Sequence, residues 1–359
     1  MLLILFILLL VGVLPGKSRE VAVDGAAYLS RRHTSMANGI FICLVFLSHL
    51  RQYEPWLEEI DSWILVQNSQ MLGQLMVAPF FFFSGWGMMC SLQKRGKDYV
   101  RSLVNRRFPG LLLKFAAAVL VFWAVQSLLG QRYSWEQVLL SLVGWRSLGN
   151  SNWFIFMTLL MYLMVAGVFA LLPRQRYVQG VLILGAILAP VVFAMGQLKP
   201  PYWYDTILCL PAGMWWCYLC NGKSTKELCR GGLCALILVP AGWWVYHHAR
   251  DLVEGLPVLS FWSGSMLANF GAVFFAWGVA LAVGRCSVAY PRLGAGGRVL
   301  AWCGGPALFY LYIYQRIPML LGQHFGLQEM GYVYLVGCAA VTVLMAWGML
   351  CCGQLVSKR

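Results

Sequence analysis

The segment NGIFICLVFLSHLRQYEPW, residues 38–56, contains an almost wholly apolar run that ends at a histidine, His49. His49 stands eleven residues after Asn38, so on a helix it lies about 16 Å further along the axis. An imidazole titrates close to neutral pH and can act as a general base or as a nucleophile. A histidine in this place can also simply cap a helix at the membrane surface, and on this feature alone both readings stay open.

Positive charge is concentrated in one connection and at one isolated position. Residues 93–115, QKRGKDYVRSLVNRRFPGLLLKF, carry seven cations, and guanidinium groups bind phosphate oxygens with paired hydrogen bonds. A basic cytoplasmic connection can also arise from topology and contact with anionic lipid alone. Arg316 lies near the outer end of an apolar run, where it can bind an anionic group or an oxyanion, or extend toward the interface.

Composition determines which elements must hold these residues. The 359 residues are 60% hydrophobic and 11% charged, with a mean hydropathy of +0.69, which is typical of an all-α, polytopic membrane protein. About 20 helical residues cross the hydrocarbon core of a bilayer. Apolar runs of about that length predict ten core spans, near residues 37–50, 71–92, 110–130, 152–172, 179–197, 204–220, 231–248, 266–284, 299–322 and 331–352.

The remaining boundaries follow from these spans. The run MLLILFILLLVGVLP, residues 1–15, lacks a basic n-region and a clear small-x-small cleavage site, so it is predicted to be an eleventh, retained span. Residues 16–36 then form a cytoplasmic juxtamembrane linker, 37–352 the membrane domain and 353–359 a cytoplasmic tail.

The distribution of Lys and Arg predicts the orientation. Short cytoplasmic loops collect these residues, and most of the 27 fall on one side if the span carrying His49 runs from inside to outside. The 93–115 connection is then cytoplasmic, and His49 lies toward the outer half of the membrane. Topology explains the net charge of +14, so nucleic-acid binding is not needed to account for it.

The twelve cysteines do not form a metal-binding pattern. Most lie within or at the edges of apolar runs, where cysteine behaves as a small hydrophobic residue. The CYLC segment at 217–220 has CxxC spacing, but no second Cys or His pair stands nearby in the sequence to complete a zinc site. It is therefore predicted to serve packing.

The acidic residues bear on the class of function. All 13 fall in loops or at span ends, whereas proton-coupled transporters usually carry Asp or Glu within the bilayer. A transporter or flippase of a lipid-linked saccharide, with His49 and Arg316 lining a pathway, is still the alternative from another class. A third alternative is a non-catalytic membrane scaffold.

Several segments, in order over residues 38–318, resemble the membrane acyltransferase-3 family. NGIFICLVFLSH looks like the family's first core helix, which begins with a basic residue and a glycine and ends with a histidine, and GQLMVAPFFFFSGWGM resembles its FF-x-SG helix. The basic segment before Pro109, NWFIFMTLLMYL and ALFYLYIYQRIP are similar to its arginine-rich, WF…Y and SY-x-x-Y segments. Two positions depart from the family pattern, since Asn38 replaces the basic residue and Gln315 replaces a histidine.

The resemblance implies transfer of an acyl group, most often acetyl, from cytoplasmic acyl-CoA to a hydroxyl of an envelope saccharide. The implied location is the bacterial cytoplasmic membrane, and acyl-CoA, saccharide or lipid-linked glycan and membrane lipid are the implied partners. No bound cofactor or metal is expected, because acyl-CoA is a substrate and His49 serves as base or nucleophile.

Residue type and position, together with the resemblance, give candidate residues for each part of such a site. The donor-binding candidates are Arg106, Arg107, Arg101, Lys94, Arg95 and Asn38. The contact of the family's basic residue at position 38 is either lost or supplied by Arg31, Arg32 or His33. The acceptor-binding candidates are Arg316, Gln315, Asn152, Trp153, Tyr312 and Tyr314. Glu54 and Asp205 are the candidates to orient the imidazole of His49, a task that carboxylates commonly perform.

Overall fold

The structure is a computed structural model that describes residues 28–53, 72–220, 234–254 and 260–357. Every regular element in that part of the chain is helical. The α-helices are α1 Arg31–Leu50, α2 Ala78–Arg95, α3 Lys97–Ser102, α4 Phe108–Leu128, α5 Trp135–Leu142, α6 Trp153–Leu171, α7 Tyr177–Gly196, α8 Cys209–Cys220, α9 Ala235–His248, α10 Ser260–Ala289, α11 Ala295–Cys303, α12 Leu308–Tyr314, α13 Arg316–His324 and α14 Tyr332–Ser357. The shorter elements are a π-helical turn, Leu103–Arg107, and the 3-10 turns Gly73–Met76, Arg174–Arg176, Pro201–Trp203, Asp251–Val253 and Leu327–Met330. The predicted span 1–15 lies outside the described residues, and so does Glu54.

Seven segments of the described chain are long and apolar enough to cross a bilayer. They are Arg31–Leu50, Gly73–Arg95, Lys97–Leu128, Trp153–Leu171, Arg174–Gly196, Trp262–Ala289 and Tyr332–Gly353. These helices confirm the prediction of an all-α protein with several membrane spans. They correspond to seven of the ten predicted core spans, and the described residues do not confirm the other three, 204–220, 231–248 and 299–322.

Prolines and glycines accompany the shorter helices in two of these ranges, 204–220 and 299–322. Over 204–220 only a 12-residue helix forms, after a 3-10 turn that begins at a proline, and over 231–248 the described helix has 14 residues. The single span predicted over 299–322 is instead three short helices, α11 to α13. The Gly-Gly-Pro sequence at 304–306 lies where the first of them ends. Pro318 has no N–H to donate to the preceding turn, which favours the second break.

The described residues fall into two compact units. Unit 1 takes those within 1–34, 72–104 and 161–298, and unit 2 takes those within 35–71, 105–160 and 299–359. The helices of unit 1 therefore include α2, α3 and α7 to α10. Unit 2 contains most of α1, together with α4, α5 and α12 to α14.

Helices α2 and α8 of unit 1 are in backbone contact. A Cβ atom at Gly85 would collide with the Leu210 carbonyl oxygen, and one at Gly213 would collide with the Phe82 carbonyl oxygen. Only glycine permits this approach, and small residues are the usual means by which membrane helices come close. The two helices are thus held in a fixed register by reciprocal contacts.

Glycines also place α1 within unit 2. A Cβ atom at Gly39 would collide with the Leu300 carbonyl oxygen, and one at Gly304 would collide with the backbone nitrogen of Gly39. At the other end of α1, Leu50 is fully buried in a cluster with Met319, Tyr334 and Cys338. Both ends of the helix that carries His49 are therefore fixed by packing.

Candidate functional site

His49 lies in the last turn of α1, one residue before Leu50. Its side chain is half-buried, but its Nδ1 atom is fully buried and accepts no hydrogen bond from the residues that the structure describes. The imidazole and Tyr312 rings are tilted by 56°, with their centroids 6.3 Å apart. A buried ring nitrogen without a partner is costly, which makes His49 a functional candidate.

Arg316, at the start of α13, makes three side-chain contacts around the C-terminal end of α1. Its Nε atom donates to the Ser151 hydroxyl over 3.0 Å, and Nη2 donates to the Gln52 side-chain carbonyl over 2.8 Å. Nη1 donates to the Tyr53 hydroxyl over 3.4 Å. Arg316 is also close enough to His49 for their charges to interact. It therefore joins the turn after α1 to the loop before α6 beside the imidazole.

The guanidinium has donors left for a substrate. Arginine has five N–H groups, and the three contacts to described residues use one each. The Arg316 side chain is half-buried, so its remaining N–H groups are partly accessible. A cation held beside an imidazole in this way is suited to stabilise an oxyanion or to bind an anionic acceptor.

The loop before α6 is held by its own amide side chains. Asn152 donates from Nδ2 to the Gly144 carbonyl over 2.8 Å, and Asn150 accepts from the Leu148 backbone N–H over 3.0 Å. Gln126 of α4 donates to the Leu148 carbonyl over 3.2 Å. The predicted acceptor-binding residue Asn152 thus uses one of its amide N–H groups to shape the loop that presents Ser151.

Aromatic rings connect this loop to α12. The Trp153 ring packs edge-to-face on Phe154 at 5.8 Å, and Phe154 contacts Tyr312 with ring centroids 5.4 Å apart. Tyr314 is buried and stacks on Tyr310, with centroids 6.5 Å apart. Tyr312, one of the predicted aromatic residues, lies beside the His49 ring.

Gln315 occupies the break between α12 and α13. It is 1% exposed, and its Nε2 atom donates to the Tyr312 carbonyl over 2.9 Å. This bond fixes the orientation of the amide and leaves Oε1 buried without a hydrogen-bond partner among the described residues. Gln315 therefore offers a fixed acceptor for a hydroxyl or an amide N–H.

Asn38 and His49 share one face of α1. Eleven residues make about three full helical turns, and Ile42 and Val45, which lie between them on this face, are buried. The side-chain Oδ1 of Asn38 is also buried without a hydrogen-bond partner in the described part of the chain. The helix thus carries two unsatisfied polar atoms on one side, separated by about 16 Å of apolar surface.

Arg31, Arg32 and His33 were the candidates to supply the contact that a basic residue at position 38 would make. His33 is 1% exposed, and both of its ring nitrogens are engaged, Nδ1 by the Ser30 hydroxyl at 2.7 Å and Nε2 by the Tyr290 carbonyl at 2.9 Å. Arg31 and Arg32 are exposed. The His33 side chain therefore stabilises the packing of unit 1, whereas Arg31 and Arg32 are accessible.

The basic connection predicted over residues 93–115 is helical on both sides of Gly96. Gly96, with φ of 56°, separates α2 from α3, and the π-helical turn Leu103–Arg107 leads into α4. A π-helical turn widens a helix and is frequent at functional sites. Its residues Arg106 and Arg107 have exposed side chains and belong to unit 2.

The other basic candidates, Lys94, Arg95 and Arg101, belong to unit 1. Arg95 lies over the Tyr99 ring at 4.8 Å, and Arg101 forms an exposed ion pair with Asp98 at 3.5 Å. Such exposed contacts are weak, so these side chains can leave them to bind a phosphate.

Asp205, a candidate to orient His49, is engaged elsewhere. It lies in unit 1, in the turns before α8, and its buried carboxylate forms an ion pair with Arg250. Burial raises the pKa of this carboxyl to about 6, and the Arg250 guanidinium only partly opposes the rise. The other orienting candidate, Glu54, lies outside the described residues.

The structure adds Ser151 and Gln52 to the residues expected around His49. Both contact Arg316, across 165 and 264 positions of the sequence respectively. Their only sequence signal is that each is a polar residue next to the end of a predicted span. Across the described ranges, no group of three or more His, Cys, Asp or Glu residues is placed to hold a metal ion.

The long apolar helices define the class, a multi-pass helical membrane protein. Comparisons with protein-family models, with curated proteins and with solved structures find no match to the chain.

Proposed function

We propose that this protein is an integral-membrane O-acyltransferase of the bacterial cytoplasmic membrane. It transfers an acyl group, most simply acetyl, from cytoplasmic acyl-CoA to a hydroxyl of an envelope saccharide. The observation that carries the proposal is the buried Nδ1 of His49, which has no hydrogen-bond partner among the described residues and lies beside Tyr312 and Arg316. The resemblance of five segments to the acyltransferase-3 family supports the same chemistry.

Two reaction courses use this imidazole. As a base, His49 takes the proton of the acceptor hydroxyl while its oxygen attacks the thioester carbonyl, and the imidazolium then protonates the departing CoA sulfur. As a nucleophile, the imidazole displaces CoA to form an acyl-imidazole, which the acceptor hydroxyl then attacks. In both courses negative charge develops on the carbonyl oxygen, where the Arg316 guanidinium is suited to stabilise it.

The proposal gives the donor contacts at the basic segment and at Asn38. Exposed Arg106 and Arg107 in unit 2 offer guanidinium groups to the phosphates of CoA. Asn38, whose side-chain oxygen is buried without a hydrogen-bond partner among the described residues, is proposed as a contact for an amide N–H of the pantetheine arm. Asn38 and His49 are about 16 Å apart along α1, a distance that an extended pantetheine chain can cover.

An ester assay on intact cells tests this proposal. Envelope polysaccharide is collected from cells that express the wild type, His49→Ala or His324→Ala, with membrane levels matched by immunoblot. His324 is the matched control, since it is an exposed histidine of unit 2. We expect base-labile acyl groups with the wild type and His324→Ala and none with His49→Ala. Equal ester content in all three strains would contradict the proposal.

A second candidate function is transport or flipping of a lipid-linked saccharide. The interrupted helix α11–α13 favours it, because discontinuous membrane helices often form the binding sites of transporters. The two functions differ in product, since an acyltransferase leaves a new ester and a transporter moves an unmodified molecule. Mass spectrometry of the glycan before and after expression separates them.

A further inference from the structure

Two thiols from different helices of unit 1 meet in the structure. The Sγ atoms of Cys90 in α2 and Cys217 in α8 are 2.8 Å apart, although 127 positions separate them in the sequence. Both cysteines are in the reduced thiol form. The CxxC segment at 217–220 therefore has a third cysteine beside it that sequence spacing did not reveal.

The helix pair that carries these thiols is fixed by its backbone. Gly85 of α2 meets the Leu210 carbonyl, and Gly213 of α8 meets the Phe82 carbonyl. Cys90 and Cys217 follow these two glycines by five and four residues on their helices. The thiols are thus brought together by two rigid helices rather than by loops.

We infer that Cys90 and Cys217 are a redox modification site, at which an organic hydroperoxide converts two thiols into an inter-helix disulfide. A disulfide has an S–S length of about 2.05 Å, so closure from 2.8 Å needs a movement of less than about 1 Å. The inference does not depend on acyl transfer, because both residues lie outside the candidate site around His49.

The oxidation has two balanced steps. The sulfur of Cys90, which is half-buried, attacks the terminal oxygen of the hydroperoxide and the O–O bond breaks. The sulfur becomes a sulfenic acid, and the thiol proton passes to the departing alkoxide, which leaves as an alcohol. The buried Cys217 thiol then attacks that sulfur, the S–S bond forms, and the hydroxyl leaves with the thiol proton as water. Each sulfur loses one electron and the peroxide gains two.

A disulfide between Cys217 and Cys220 is the alternative to the proposed bond. Cys220 lies one turn after Cys217 on α8, so a disulfide between these two would join consecutive turns of one helix and would not link it to α2. The bond between Cys90 and Cys217 ties α2 to α8. A thiol reductant reverses it by attacking either sulfur and regenerates both thiols.

Peptide mapping of the purified full-length protein in detergent tests the inference. The protein is treated with cumene hydroperoxide, unoxidised thiols are alkylated, and the digest is analysed by mass spectrometry without reductant. We expect a linked peptide that joins Cys90 to Cys217, a loss of two alkylatable thiols, and recovery of both after dithiothreitol. Alkylation of both cysteines after oxidation, or a link between Cys217 and Cys220, would overturn the inference.

Variants separate a specific bond from general oxidation. Cys90→Ala and Cys217→Ala should each abolish the linked peptide, whereas Cys286→Ala, which removes another buried thiol of unit 1, should retain it. The disulfide should also raise the melting temperature of the oxidised wild type relative to the reduced protein, since it links two helices. Oxidation that raises the melting temperature of Cys90→Ala equally would contradict the assignment.

Discussion

At the residue scale, the proposed acyl transfer depends on side chains around His49 that the fold holds in place. Leu50 is fully buried in a cluster that includes Met319, and this packing anchors the turn of α1 that carries His49. Arg316 then joins Gln52 to Ser151. Because each of these side chains is held by a different element, the imidazole environment requires unit 2 to be folded.

Arg316→Lys keeps the positive charge but loses the planar group that reaches three partners. Lysine presents a single ammonium and does not reproduce this geometry. A charge-assisted hydrogen bond contributes about 1.5–3 kcal/mol, so we expect acyl transfer to fall by about 10- to 100-fold, as each 1.4 kcal/mol is a factor of ten. Initial rates with labelled acetyl-CoA measure the effect. Arg146→Lys, an exposed arginine of unit 2 in an ion pair with Glu136, is the control and should retain its rate.

The carboxyl of Asp205 gives stability a defined pH dependence. Its pKa is raised to about 6 in the folded protein by burial, whereas an unfolded chain has a value of about 3.9. Between about pH 4 and pH 6 the folded state keeps a proton that the unfolded state has released, so stability falls as pH rises through this range.

Thermal unfolding of the wild type and Asp205→Asn checks this dependence. The substitution removes the titration, so the melting temperature of Asp205→Asn minus that of the wild type should increase from pH 4 to pH 6 and then level off. If the melting temperatures of the two proteins differ by the same amount at every pH from 4 to 6, Asp205 does not titrate as described.

At the element scale, glycines decide how closely helices pack. Gly85 and Gly87 lie on the same helix, but only a Cβ atom at Gly85 would collide with a neighbouring backbone, while nothing lies within 4 Å of one at Gly87. Gly85→Ala should lower the free energy of unfolding by about 1–3 kcal/mol, the usual cost of overpacking. Gly87→Ala should leave it unchanged or raise it slightly, since alanine favours a helix. Equal effects in a detergent unfolding assay would contradict the backbone contact.

The length of the apolar runs was enough to predict the long helices of the described chain from the sequence. The spans predicted over 110–130 and 152–172 agree with α4 and α6 to within a few residues. The break within 299–322 was missed because its glycines and proline sit in an otherwise apolar run, which favours one continuous span. The basic connection before the span over 110–130 is likewise helical on both sides of Gly96, which its charges did not indicate.

The candidate site was predictable only in part. His49, Arg316 and Tyr312 stand out in the sequence as polar groups within apolar runs, and the structure brings them together. The partners Ser151 and Gln52 were not predicted, because their contacts with Arg316 depend on tertiary packing across long sequence separations. No periodic pattern records such pairings.

At the scale of the whole molecule, orientation decides whether a cytoplasmic donor can meet the basic segment. The distribution of Lys and Arg predicts that residue 97 is inside and residue 132 is outside. Alkaline phosphatase fused after Lys97 should therefore be inactive, and the same reporter fused after Arg132 should be active, because the enzyme folds only outside the cytoplasm. The opposite pattern would place the basic segment away from acyl-CoA and would contradict the proposed donor site.

The most direct test of the central claim follows an acyl group from donor to product. Inverted membrane vesicles that contain the wild type, His49→Ala or His324→Ala are supplied with acetyl-CoA labelled in the acetyl group, and label in the glycan fraction is counted. The account predicts base-labile label with the wild type and His324→Ala and none above background with His49→Ala. Equal labelling by His49→Ala would show that the imidazole at the end of α1 does not carry the reaction.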